Sequence, residues 1–198
     1  GDYFRVLPLK DNTNLTITNY NEAGEFISQK YETINTGGGF YEFNNIDLPR
    51  NNKNYEIGIK GNTIWEADSP ILVTQYSYSY SWDNTPTNSG DLNYDPFMIN
   101  LINEEQFTKE INFLAPPYND FDNHNINLVV KIDTNFSIQD QLKTIILDDK
   151  FLSVDYPNLL TNRIGNTEYF WLRFEINSKV HRIESEVPFA AFLYGFGN

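Results

Sequence analysis

Apolar and polar residues alternate along most of the chain. Leu15 and Ile17 are interleaved with Asn14, Thr16 and Thr18, and Ile126, Leu128 and Val130 with Asn125 and Asn127. Successive side chains of an extended strand point to opposite faces, so a period of two marks a strand buried on one side. Similar short runs at Phe4–Leu9, Glu25–Thr33, Phe40–Phe43, Tyr55–Lys60, Ile71–Trp82, Lys143–Ile146, Tyr169–Ile176 and Phe189–Phe196 are separated by clusters of Gly, Asn, Asp and Pro, which favour turns. Helical periodicity is scarce. Asn103–Glu110 is the one candidate, with Asn103 placed to cap and Glu104 and Glu105 in the first turn. The expectation is an all-β fold of antiparallel β-sandwiches.

One segment recurs. Trp65-Glu66-Ala67-Asp68-Ser69-Pro70-Ile71-Leu72-Val73-Thr74-Gln75-Tyr76 aligns without gaps with Ile183-Glu184-Ser185-Glu186-Val187-Pro188-Phe189-Ala190-Ala191-Phe192-Leu193-Tyr194. Glu, a second acid, Pro and Tyr fall at matching places. Read as a duplication, this divides the chain into two related modules in tandem, residues 1–100 and 101–198. A proline at the first residue of a strand forfeits no ladder hydrogen bond, so such a motif can repeat within a sheet.

Composition narrows the function. Of 198 residues, 40% are hydrophobic and 16% aromatic, enough large apolar surface for a packed core. The 27 acidic and 14 basic residues leave a net charge of −13, which repels phosphate backbones and anionic membranes. Nucleic acid is therefore not expected as a partner, nor is direct membrane insertion, since no apolar run approaches the roughly 18 residues of a span. Cysteine is absent, which removes disulfides, thiolate nucleophiles and cysteine metal sites. No G-x-S-x-G elbow, phosphate-binding loop or H-E-x-x-H pair is present, and the expectation is a protein that is not an enzyme. A carbohydrate-active enzyme stays open as an alternative, because Glu66, Asp68, Glu184 and Glu186 could supply paired carboxylates if they faced one cleft. Their position beside a proline in both halves fits an edge device that discourages strand addition. Of the two histidines, His181 is expected to make a structural hydrogen bond, whereas His124 falls in a polar loop and is expected to be exposed.

Tyr76, Tyr78, Tyr80 and Trp82 alternate with Ser77, Ser79 and Ser81, placing four aromatic rings on one face of a strand and three hydroxyls on the other. Either this face closes the core, or its rings stack on sugars or anchor a protein partner. Exposure is expected more for Tyr80 and Trp82 than for Tyr76. The candidate ligand-binding residues are Tyr78, Tyr80, Trp82, Asn84 and Asn88. In the loop that follows, Asp83, Asp91 and Asp95 offer hard oxygen ligands that suit Ca²⁺, the only cofactor the sequence brings into view, although solvated turn chemistry is the plainer account of them and no cofactor is required.

Three separated motifs carry a resemblance that spans most of the chain: Ile64–Tyr76, then Asp95-Pro96-Phe97-Met98, then His181-Arg182-Ile183-Glu184-Ser185 through Tyr194-Gly195-Phe196-Gly197. In this order they resemble the IgGFc-binding protein N-terminal domain family, in its bacterial surface-protein branch. This chain departs in the longer turn Ser89–Asp95. The resemblance implies an extracellular or cell-surface module of a longer polypeptide, with neighbouring domains, that works in adhesion by binding a glycan or protein partner. Bacterial members are modules of large exported proteins, and animal members sit in mucus proteins that bind the Fc part of IgG. A structural spacer or self-assembling fibre unit is the alternative reading.

Overall fold

Thr13, Leu15, Ile17 and Asn19 lie on one face of a single strand, all buried, and the first half of the chain is organised around that face. The computed structural model describes residues 2–43, 61–77, 97–117 and 123–196. All strand pairs in these residues are antiparallel, and the fold is all-β. The chain divides into two compact units, residues 1–101 and 102–198.

The first unit contains β1 (Asp2–Pro8), β2 (Thr13–Tyr20), β3 (Phe26–Ile34), β4 (Tyr41–Phe43), β5 (Asn62–Ala67), β6 (Ile71–Ser77) and β7 (Met98–Asn100). They form a four-stranded sheet in the order β4-β1-β6-β7 and a three-stranded sheet in the order β3-β2-β5. Phe4, Val6, Phe43 and Val73 from the first sheet share one core with Leu15, Ile17 and Ile34 from the second. Trp65 on β5 packs between the sheets, its ring 5.1 Å from Phe4 and 5.5 Å from Phe43.

The second unit contains β8 (Thr108–Leu114), β9 (Asn123–Lys131), α1 (Ile138–Leu142), β10 (Ile146–Leu147), β11 (Lys150–Phe151), α2 (Leu152–Asp155), β12 (Leu160–Arg163), β13 (Tyr169–Ile176) and β14 (Val180–Phe196). The sheet runs β11-β10-β14-β9-β13-β12, with β8 also paired to β14. Ile126, Leu128 and Val130 meet Phe170, Leu172, Phe174, Ile183 and Phe189 in its core, closed by Leu142, Ile145 and Leu152 from the short helices and the turn between them.

The recurrent proline motif has the same structural consequence in both units. In the first, β5 pairs with β2, and after Asp68-Ser69-Pro70 the chain continues as β6 in the other sheet, paired with β1. In the second, β14 pairs with β8 and β10 up to Glu184 and its register breaks; from Phe189, which still lies opposite Thr108 of β8, it takes up β9 in place of β10. Proline lacks the amide that would bind the old partner, so each strand changes neighbours there. The order of partners differs: the strand before Pro70 pairs with the second strand of its unit, whereas the stretch before Pro188 pairs with the first.

Several local expectations are corrected. His124 is 2% exposed, lies on the core side of β9 in phase with Ile126, and bonds Ser178 through Nε2 at 3.0 Å. The alternation simply extends two residues further toward the N-terminus than the polar composition around His124 indicates. Asn103 caps only a 3-10 turn, Glu104–Gln106, before β8 begins at Thr108. Lys143–Thr144 is not strand but the end of α1, which Ser137 caps through the Asp140 amide.

Asp148 and Asp149 form the two-residue turn between β10 and β11, with φ of 50° and 65°, the left-handed pair a tight hairpin requires. From this turn the Asp148 carboxylate accepts from the Arg182 amide (3.0 Å), meets His181 Nδ1 at 2.9 Å and pairs with Lys179 Nζ at 2.8 Å. His181 is buried, stacks on Phe113 and meets the Asn177 carbonyl through Nε2. Partial burial pulls the Asp148 carboxyl upward, but Lys179, the Arg182 amide and His181 outweigh it and hold the group below its ordinary 3.8. A carboxyl depressed in the fold stabilises it above the unfolded value and loses that contribution as pH falls through the folded value. Asp148→Asn is expected to cost about 1–3 kcal/mol at neutral pH and to make the loss of stability below about pH 4 shallower. Denaturant titrations from pH 7 to pH 2 check both; an unchanged acid slope would refute the assignment.

Candidate recognition face

Because β1 buries Phe4 and Val6, pleating sends Tyr3, Arg5 and Leu7 to the opposite side. Register then sets their neighbours: Tyr3 lies opposite Tyr76, Arg5 opposite Thr74 and Glu42, Leu7 opposite Leu72, and Tyr76 opposite Met98. The outer face of the four-stranded sheet is therefore built from aromatic, aliphatic and guanidinium groups. Tyr3 and Tyr76 stack with centroids 4.7 Å apart and planes 13° from parallel. The Arg5 guanidinium lies 5.4 Å from the Tyr76 ring and 5.2 Å from the Phe40 ring, so aromatic groups flank it. Glu42 closes the arrangement, accepting from both Arg5 Nε and Nη2 at 2.8 Å. The Glu42 hydrogen bond raises the Arg5 pKa further above its already high ordinary value. Thr74 sits between Arg5 and Asn100 and donates to the Asn100 side chain at 2.9 Å.

This face holds exposed large side chains that a solvated sheet surface seldom groups: Phe40 is 59% and Met98 62% exposed, with Leu7 and Leu72 also open to solvent. Contiguous exposed apolar surface rimmed by polar groups marks interaction sites. Tyr, Phe, Met and Arg are also the residue types enriched where proteins meet. The arrangement is a flat contact surface, with no converging nucleophile, acid and base.

Tyr76 belongs to the predicted aromatic stripe, and it lies on this outer face while Val73 faces the core. The other predicted binding residues, Tyr78, Tyr80, Trp82, Asn84 and Asn88, and the predicted calcium ligands Asp83, Asp91 and Asp95, lie outside the described residues. Among the described residues no cluster of three His, Asp or Glu side chains could hold a metal ion. Two of the four carboxylates considered for catalysis are engaged locally, while Glu66 and Glu186 are exposed. Asp68 accepts from the Asn14 amide at 2.9 Å and from Asn14 Nδ2 at 2.7 Å, which together hold its pKa below 3.8. Glu184 accepts from Arg182 at 2.7 Å. Sequence reasoning missed Tyr3, Arg5, Phe40 and Met98 as members of the face. The alternation of Phe4 and Val6 with Tyr3, Arg5 and Leu7 was the available signal for the first two.

The described residues are all-β, and their exposed aromatic and aliphatic face is of the kind that marks interaction sites. The family comparison agrees: the chain belongs to the IgGFc-binding protein family, whose profile matches residues 1–195. That is a family of binding-type domains, generally extracellular or secreted. Among the described residues no helix is long and apolar enough to cross a membrane. No curated protein and no solved structure matches the chain.

Because these side chains point away from the core, their removal is expected to spare the fold. Arg5→Ala gives up two ring contacts and one exposed ion pair, and only a small loss of stability is expected. Equilibrium unfolding in urea checks this, and a loss above about 3 kcal/mol would mean that the face is packed as core.

Proposed function

We propose that the chain is a non-catalytic extracellular recognition module that binds a protein partner through the outer face of β4-β1-β6-β7. The observation that carries this reading is Arg5 flanked by Phe40 and Tyr76 beside the stacked Tyr3 and exposed Met98. An arginine held between rings has little side-chain entropy left to lose on binding. A protein is favoured over a glycan because Met and the aliphatic Leu7 and Leu72 share the surface with the rings, where sugar recognition calls for hydrogen-bonding side chains around each ring. The period of two continues from Tyr76 to Tyr78, Tyr80 and Trp82, and we take these as an extension of the same binding surface, with Asn84 and Asn88 at its border. Asp83, Asp91 and Asp95 remain the proposed calcium ligands.

The family name makes immunoglobulin Fc the first protein to test. Binding of the purified chain to immobilised Fc, to a panel of secreted proteins and to a glycan array, with calcium and with chelator, addresses partner and metal together. Arg5→Ala, Tyr76→Ala and Met98→Ala are expected each to weaken a protein interaction by more than about tenfold without loss of folding. Glycan binding that survives all three substitutions would overturn both the partner class and the face.

A further inference from the structure

Among the described residues the three-stranded sheet ends in the nine-residue strand β3. Among the described residues β3 pairs with β2 on one side and with nothing on the other. Asn14 turns its amide and carbonyl toward β5, through the Asp68 carboxylate and the Asp68 amide. In an antiparallel ladder these groups alternate sides, so Leu15 and Ile17 face β3 and bond their partners Glu32 and Lys30. The amides and carbonyls of Gln29, Tyr31 and Thr33 consequently point out of the sheet. Tyr31 is 71% exposed, and Phe26 and Ile27 are exposed at the start of the strand.

Natural edges of this length are guarded, most often by a lysine whose burial would be costly. Here the guard is already compensated. Lys30 donates to the Tyr41 hydroxyl at 2.7 Å and pairs with Glu32 at 2.9 Å, and Tyr41 in turn donates to Glu32.

We infer that β3 is a self-pairing edge, and that its occupant is the β3 strand of a second copy of this chain, added antiparallel about a two-fold axis at Tyr31. Registers centred on Lys30 and on Tyr31 both set outward groups against outward groups. Centring the axis on Lys30 sets lysine against lysine. Centring it on Tyr31 sets Gln29 opposite Thr33, Tyr31 opposite Tyr31, and Lys30 opposite Glu32 in both directions. Only the second is complementary in charge as well as in hydrogen bonding. The pairing is independent of the outer face of the other sheet.

The test uses the intact chain in sedimentation velocity over a concentration series. The wild type is expected to dimerise reversibly. Lys30→Glu sets glutamate against glutamate and Glu32→Lys sets lysine against lysine, so each variant alone should dimerise about tenfold more weakly or worse. An equimolar mixture of the two restores both opposite-charge pairs, and a dimer is expected to reappear in the mixture. A folding defect could not produce that rescue. Gln29→Pro, which removes one outward amide and leaves the β2 ladder intact, should also weaken the dimer. A wild type that stays monomeric at millimolar concentration overturns the proposal and leaves the edge to an extended segment of another protein. Variants that dimerise like the wild type overturn it too, because the copies then meet elsewhere.

Discussion

A change of strand partner beside a proline is the constraint on which both units depend. Pro70 and Pro188 have no amide to donate to a ladder; at the first the chain passes from one sheet to the other, and at the second β14 leaves β10 and takes up β9 within a single sheet. In the first unit the corner is fixed by Asp68, whose carboxylate and amide both reach back to Asn14 at the start of β2. In the second, Ser185 accepts from the Val187 amide within the register break. Once the corner is set, the rest follows. β6 is delivered beside β1, which aligns Tyr76 with Tyr3, and the post-proline half of β14 is delivered beside β9. Of the acidic residues near these prolines, Asp68 does this structural work directly.

How much was legible depended on whether a property is local. Strands over Phe4–Leu9, Glu25–Thr33, Tyr169–Ile176 and Phe189–Phe196 were readable because a period of two needs only neighbouring residues. The partner change at the prolines was half legible: the repeated motif stood out, but which strands it joins is set by register across dozens of residues. α1 was invisible because five residues with a single Ser137 cap make no helical period. His124 was misplaced because histidine and its Asn neighbours look like loop, while the core beneath them is supplied by β13 and β14.

The recognition face shows the same limit more sharply. Tyr76 was singled out as aromatic, yet nothing in its own stretch says which side of the strand is wet. That is decided by Val73 and by the pairing of β6 with β1, where Phe4 and Val6 claim the core. The same pairing brings Arg5 to Tyr76 and, through β4, to Glu42 and Phe40. Four segments scattered between residues 3 and 98 become one surface only after the sheet has formed.

The two sheets of the first unit treat their margins differently, and the difference is physical. Among the described residues the four-stranded sheet is bordered by β4 and β7, and it gathers its exposed aromatic and aliphatic side chains on the outer face between them. The three-stranded sheet ends in the nine-residue β3, whose outward side chains are tied down by Gln29 to Thr18 and Thr33 to Asn14. Its side chains are thus occupied along the strand while its outward backbone groups remain open. One sheet therefore presents side chains and the other presents main chain, and a contact made by either leaves the other free.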